Sequence, residues 1–189
     1  MDFFQILVVG AAGILAMYVL SRMLSRTMVL EYQSGLKYVG GHFKKVLGPG
    51  VYWYSPLSTR VSVMDMRERH VTVKGQELLS KDGITLKVTL AARFCVTAPV
   101  KAAHAVEDYE ASLYLELQTA LRHAIGGRDM DDILETRQEM GETVFTSCED
   151  RVEEFGLKLL AVAVKDIMFP GALKALYARE VQARKEGQA

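Results

Sequence analysis

Apolar and small residues run without a charge from Phe3 to Leu20, with Gln5 as the only amide. At about 1.5 Å rise per residue such a run makes a helix roughly 27 Å long, close to the roughly 30 Å hydrocarbon core of a bilayer. The pattern predicts one membrane crossing, with Phe3, Leu7, Val9, Ile14 and Leu20 among its spanning side chains. A secretory signal would instead carry a basic n-region, a shorter apolar core and a small-x-small cleavage site. Only Asp2 and the amino group precede this run, and Ser21-Arg22-Met23-Leu24-Ser25-Arg26 offers no such site, so it reads as a retained anchor over residues 1–26. Arg22, Arg26 and Lys37 follow the run and no Lys or Arg precedes it. Positive flanks stay in the cytoplasm, which predicts a single-pass protein with its C-terminal portion cytoplasmic.

Beyond the anchor the pattern becomes that of a sheet. Met28-Val29-Leu30, Leu36-Lys37-Tyr38-Val39 and Val51-Tyr52-Trp53-Tyr54 are short strand-like runs, separated by Ser34-Gly35, Gly40-Gly41 and Gly48-Pro49-Gly50, all read as turns. Asp82-Gly83 predicts a tight hairpin, because a primed turn needs the positive φ that Asp and Gly tolerate. The strand after it alternates: Leu86, Val88, Leu90, Ala92, Phe94 and Val96 on one face, Thr85, Lys87, Thr89 and Arg93 on the other.

The period then changes to that of a helix. Leu113, Leu117, Ala120, Leu121 and Ala124 recur at helical spacing between Asp108, an expected N-cap, and Gly126-Gly127, an expected stop. Thr136-Arg137-Gln138-Glu139 has capping-box spacing, and Met140, Val144, Cys148, Val152 and Phe155 line the helix that follows, up to Gly156. Leu157 to Val164 reads as another strand, Pro170 breaks the chain, and Ala172 to Glu186 reads as a final helix. Sheet, helices, strand and helix in that order predict an α+β fold rather than an alternating α/β one. The expected organisation is a β-rich part over 27–97, an α/β part over 98–170, and the start of a further helix over 171–189.

Composition excludes several functions. The 23 basic and 23 acidic residues cancel, which removes the electrostatic case for nucleic acid as main partner. Two cysteines, Cys95 and Cys148, are too few for a disulfide framework and fit a reducing compartment. The histidines 42, 70, 104 and 123 are scattered, with no zinc-ligand spacing and no phosphate-cradling loop. No cofactor, metal or catalytic residue is expected. Ser80 beside Lys81 is the one pair that a Ser-Lys hydrolase could use, but adjacent strand residues point to opposite faces, and a solvated hairpin end is the better reading. Tyr52, Trp53 and Tyr54 admit two readings: a membrane-interface belt, or a strand that sends Trp53 into a small core and both tyrosines outward.

Several segments in sequence order resemble the SPFH (band 7) family of stomatins, prohibitins and flotillins, most closely its bacterial slipin or stomatin-like branch. They are Tyr32 to Tyr38, Leu47 to Pro56, Asp65-Met66-Arg67-Glu68, Leu79 to Thr85, Ala120 to Gly126 and Val164-Lys165-Asp166-Ile167. The resemblance implies a membrane scaffold, in the inner membrane of a bacterium, whose subunits assemble into rings or cages through a long C-terminal helix. It also implies regulation of membrane proteins held there, including membrane proteases, with NfeD-like membrane proteins as partners.

The last helix carries Leu173, Leu176, Tyr177 and Val181 as an apolar stripe, the expected oligomer contacts, though two turns cannot sustain a coiled coil. The chain ends at Gly187-Gln188-Ala189, early in what the family builds as a long helix, so either the sequence is truncated or cage-forming parts are missing. Besides a non-enzymatic scaffold binding the bilayer and itself, the alternatives are a membrane-anchored hydrolase using Ser80 and Lys81, or a small non-caging adaptor for one membrane partner.

Overall fold

Gly40 and Gly41 hold φ of 57° and 82°, the left-handed values that a two-residue hairpin demands, and they turn β2 (Gln33–Val39) directly into β3 (His42–Leu47). In this computed structural model, which describes Gly13 and residues 24–168, the chain divides into two compact units, Met1–Arg67 and Glu68–Ala189. The expected spanning residues Phe3, Leu7, Val9, Ile14 and Leu20, and the expected oligomer contacts Leu173, Leu176, Tyr177 and Val181, lie outside the described residues. Among the described residues no helix is long and apolar enough to cross a membrane.

Between residues 24 and 67 the regular structure of the first unit is strand. β1 (Ser25–Val29) pairs antiparallel with β4 (Gly50–Tyr54), and β2 lies between β3 and β5 (Thr59–Asp65). Its small core is built from Val29, Leu36 and Leu47. Ser34-Gly35, expected as a turn, lies inside β2 instead. A Cβ on Gly35 would sit 3.1 Å from both Leu47 Cβ and Val29 Cγ2, so this glycine serves close packing. The real turn precedes it, where the Gln33 N–H donates to Leu30 O (2.9 Å) and the Leu30 N–H to Gln33 Oε1 (3.1 Å).

The second unit is a two-layer α/β structure. Strands β6 (Arg69–Leu79), β7 (Thr85–Val96) and β8 (Leu157–Met168) form an antiparallel sheet with β7 central. Four helices, α1 (Pro99–His104), α2 (Tyr109–Gly126), α3 (Met130–Glu135) and α4 (Arg137–Glu154), lie between β7 and β8 in the chain. Helix α2 packs over β6 and against α4, and α4 packs over β8. The alternation of β7 holds: Leu86, Val88, Leu90, Ala92, Phe94 and Val96 are all buried. They meet Leu113, Leu117 and Leu121 of α2 and Met140, Val144, Cys148 and Val152 of α4 in one hydrophobic core. The expected internal division at 97/98 gives way to one between Arg67 and Glu68, because β6 and β7 share a sheet with β8.

Local expectations divide in the same way. Asp108 caps α2, its Oδ1 accepting from the N–H groups of Glu110 (2.9 Å) and Ala111 (3.1 Å). The capping box at Thr136 is absent. That residue also closes α3, so its hydroxyl turns back to donate to Asp132 O (2.6 Å) and accepts from Arg128 (2.7 Å). The tight primed turn at Asp82-Gly83 is replaced by a longer loop, with only Gly83 at positive φ (81°) and its N–H donating to Ser80 O (3.1 Å).

Candidate functional site

The β1–β4 ribbon has one apolar face turned outward. Register places Arg26 opposite Trp53 and Met28 opposite Val51, and strand alternation puts Leu24 on the same side. Leu24 is 54% exposed, Met28 52%, Val51 48% and Trp53 61%. Single exposed apolar side chains are ordinary; four on one face of a two-stranded ribbon form a patch of the kind that marks an interaction surface. The Arg26 guanidinium lies over the Trp53 ring, 5.9 Å from its centroid. Leu57, in the turn after β4, is the most exposed large apolar residue among the described residues of this unit at 78%.

Tyr52 and Tyr54 take the opposite face. Tyr52 pairs with Thr27 and Tyr54 with Ser25. The Tyr52 hydroxyl donates to Gly48 O (3.0 Å), and the Thr27 hydroxyl donates to the Tyr54 oxygen (3.2 Å). The core reading of Trp53 is therefore overturned: of the three aromatics it is the exposed one and the tyrosines are half-buried. The alternation along the strand is two-fold, but its buried phase is set by Val29 and Leu47 on the inner side. The sequence alone does not mark Leu24, Met28 and Val51 as one exposed face. Their signal is the i, i+2 spacing of Leu24, Met28 and Leu30 around Arg26, which becomes informative only with the partner strand in register.

The Ser80-Lys81 pair does not come together as a dyad. Ser80 is buried at 3% exposure rather than solvated. Its hydroxyl donates to the Asp82 carboxylate and lies 3.0 Å from both Ile84 O and Ile84 N. The Lys81 ammonium reaches Asp129 Oδ2 at 3.3 Å. The Ser80 bond, reinforced by the Met130 N–H at 3.2 Å, holds the Asp82 carboxyl below the usual carboxylate range. These groups build a loop that ties β6–β7 to the start of α3.

Both cysteines are free thiols. Cys148 is buried on the inner stripe of α4, where desolvation pushes its thiol up to about 11; at that value it is a small hydrophobe rather than a nucleophile. Among the described residues no group of three His, Cys, Asp or Glu side chains is placed to hold a metal ion.

Comparison with known proteins places the chain. It is 28% identical over 162 residues to a stomatin homologue of Pyrococcus horikoshii, covering 86% of this chain and 61% of that protein. Stomatin of Mus musculus is 28% identical over 142 residues, covering 75% of this chain and 50% of the mouse protein. Protein unc-1 of Caenorhabditis elegans is 32% identical over 142 residues, with the same coverage of 75% and 50%. The chain thus spans between half and about three fifths of the length of these relatives. The family model for the SPFH domain / Band 7 family matches residues 27–189, and the chain belongs to that family.

Proposed function

We propose that this protein is a membrane-anchored oligomeric scaffold of the stomatin/prohibitin type, single-pass in a bacterial inner membrane with its folded units in the cytoplasm. It organises the surrounding membrane and regulates proteins held there, a membrane protease or an NfeD-like membrane protein being the expected kind of client. It works by assembly and not by catalysis, consistent with Ser80 and Lys81 being engaged in a structural loop.

The observation that carries the reading is the outward apolar face of the β1–β4 ribbon beside a predicted anchor. Arg26, opposite Trp53, follows Leu20 by six residues. At no more than about 3.5 Å per residue, the ribbon is tethered within roughly 21 Å of the end of the apolar run. An apolar, Trp-bearing face at that distance suits the headgroup region, where Trp is favoured. Copies anchored in this way and joined side by side would ring a patch of bilayer.

The test is electron microscopy of the full chain extracted with its native lipid. Closed rings are expected. Dispersed particles of one or two copies would contradict an oligomeric scaffold and favour a small adaptor.

A further inference from the structure

The neutrality of the whole chain conceals a division of charge between its two units. Residues 1–67 carry seven Lys and Arg against three Asp and Glu, a net of +4, whereas residues 68–189 carry sixteen against twenty, a net of −4. In the first unit the basic groups collect on the β3-β2-β5 sheet. Lys37 of β2 stands directly opposite Lys45 of β3, with Lys44 at the adjoining irregularity in register; Arg60 of β5 stands opposite Tyr38, which puts it on the other face of the sheet.

Lys44, Lys45 and Arg60 are exposed and Lys37 half-buried. Neither β2 nor β3 contains an acidic residue; the one carboxylate of β5, Asp65, sits at its far end in an ion pair with Arg67. Among the described residues, none of Lys37, Lys44, Lys45 and Arg60 makes an ion pair.

Like charges directly opposite each other on neighbouring strands are destabilising. A row of this kind without a counter-charge is stabilised by an anion from outside the chain. We infer that the Lys37–Lys45 row, with Lys44, binds the anionic headgroups of the membrane leaflet facing the first unit. This rests on the membrane-proximal reading given above. The partner is identified by its chemistry. A basic cluster joined in one unit to an outward apolar and aromatic face is what a lipid surface binds, through acyl-chain contact on one side and headgroup attraction on the other. The cytoplasmic leaflet, on the expected side of the anchor, carries the negative surface potential. The acidic second unit of a neighbouring copy is the competing occupant. It accounts for the charge but leaves the apolar ribbon face unused.

The test uses the full chain reconstituted in vesicles of phosphatidylcholine alone and of phosphatidylcholine mixed with phosphatidylglycerol, with amine labelling read residue by residue by mass spectrometry. Labelling of Lys37, Lys44 and Lys45 is expected to slow roughly fivefold in the anionic vesicles, the weight that a lysine carries beside an anionic leaflet. High salt should remove the protection, and Lys158 of β8 should be unaffected. A Lys44→Gln/Lys45→Gln variant should retain less phosphatidylglycerol after detergent extraction. Equal labelling in the two vesicle types overturns the inference. So does protection that appears in phosphatidylcholine and rises with protein density, which assigns the row to a second copy. Trp53 emission recorded in the same samples reports separately on the membrane-proximal reading: a dry Trp53 with equally reactive lysines defeats the headgroup inference alone.

Discussion

Gly141 of α4 lies so close to Val162 of β8 that a Cβ on it would stand 2.6 Å from the Val162 carbonyl oxygen and 3.4 Å from the Cα of Ala163. The obstacle is backbone in the sheet, not the end of a flexible side chain. Replacing a mid-helix glycine by alanine ordinarily gains about 0.5–1 kcal/mol. Here Gly141→Ala is expected to destabilise the fold by about 1–3 kcal/mol, the cost of overpacking a filled contact, as read by urea or thermal unfolding.

Gly156 and Gly83 form a matched pair for separating strain from steric conflict. Both hold left-handed φ, 75° and 81°. Gly83 has open space around it, whereas a Cβ on Gly156 would meet Ala98 O at 2.5 Å and Lys101 Cβ at 2.8 Å. Gly83→Ala should cost about 1–2 kcal/mol, the penalty for a left-handed alanine. Gly156→Ala should cost clearly more, because it also disrupts the corner where Thr97 N–H and Ala98 N–H both donate to Gly156 O (3.0 Å each). Equal losses in chemical denaturation would refute this ordering.

The Asp82 loop predicts a specific acid sensitivity. The Asp82 carboxyl is held below its usual range, first by the Ser80 hydroxyl and also by the Met130 N–H. The folded state therefore favours the carboxylate more than the unfolded chain does. That contribution is present above the usual carboxylate range and is lost as pH falls through the lowered folded-state value. Asp82→Asn should lower the unfolding midpoint near neutrality, and the difference from wild type should shrink on acidification. A gap that is independent of pH would contradict the linkage.

Cys148 predicts the opposite flank of the pH profile. Its thiol is raised to about 11 by burial, so the fold favours the neutral thiol while the unfolded chain ionises more readily. Stability from this group is complete below the unfolded value and declines as pH rises toward about 11. At mildly alkaline pH, a thiol reagent should modify Cys148 only as fast as the domain opens, and urea should accelerate that labelling sharply. Rapid modification without denaturant would contradict the packing on α4.

Elements with a strong period were legible in the sequence. β7 shows strict alternation and α2 shows helical spacing behind Asp108, and both formed where expected. β3, His42–Leu47, has five exposed residues and no alternation, so nothing local announces it; pairing through Gly40-Gly41 creates it. β6 is interrupted near Gly75 (φ 53°), where its register with β7 shifts, and α3 has only six residues. Trp53 is the residue of the candidate site whose burial depends on strand register. A strand slipped by one residue exchanges its faces, so the same sequence allowed a buried or an exposed Trp53 until β1 supplied Arg26 and Met28 as partners.

Trp53 is the only tryptophan of the chain, which makes its depth directly measurable. The most direct test of a membrane-facing first unit is Trp53 fluorescence of the full chain in vesicles carrying lipids brominated at graded acyl positions, with collisional quenching by aqueous iodide as the complement. A membrane-facing Trp53 gives blue-shifted emission, strongest quenching by bromines nearest the headgroups, and protection from iodide. Emission like that of water-exposed tryptophan, with full iodide quenching and no response to any brominated lipid, would contradict it.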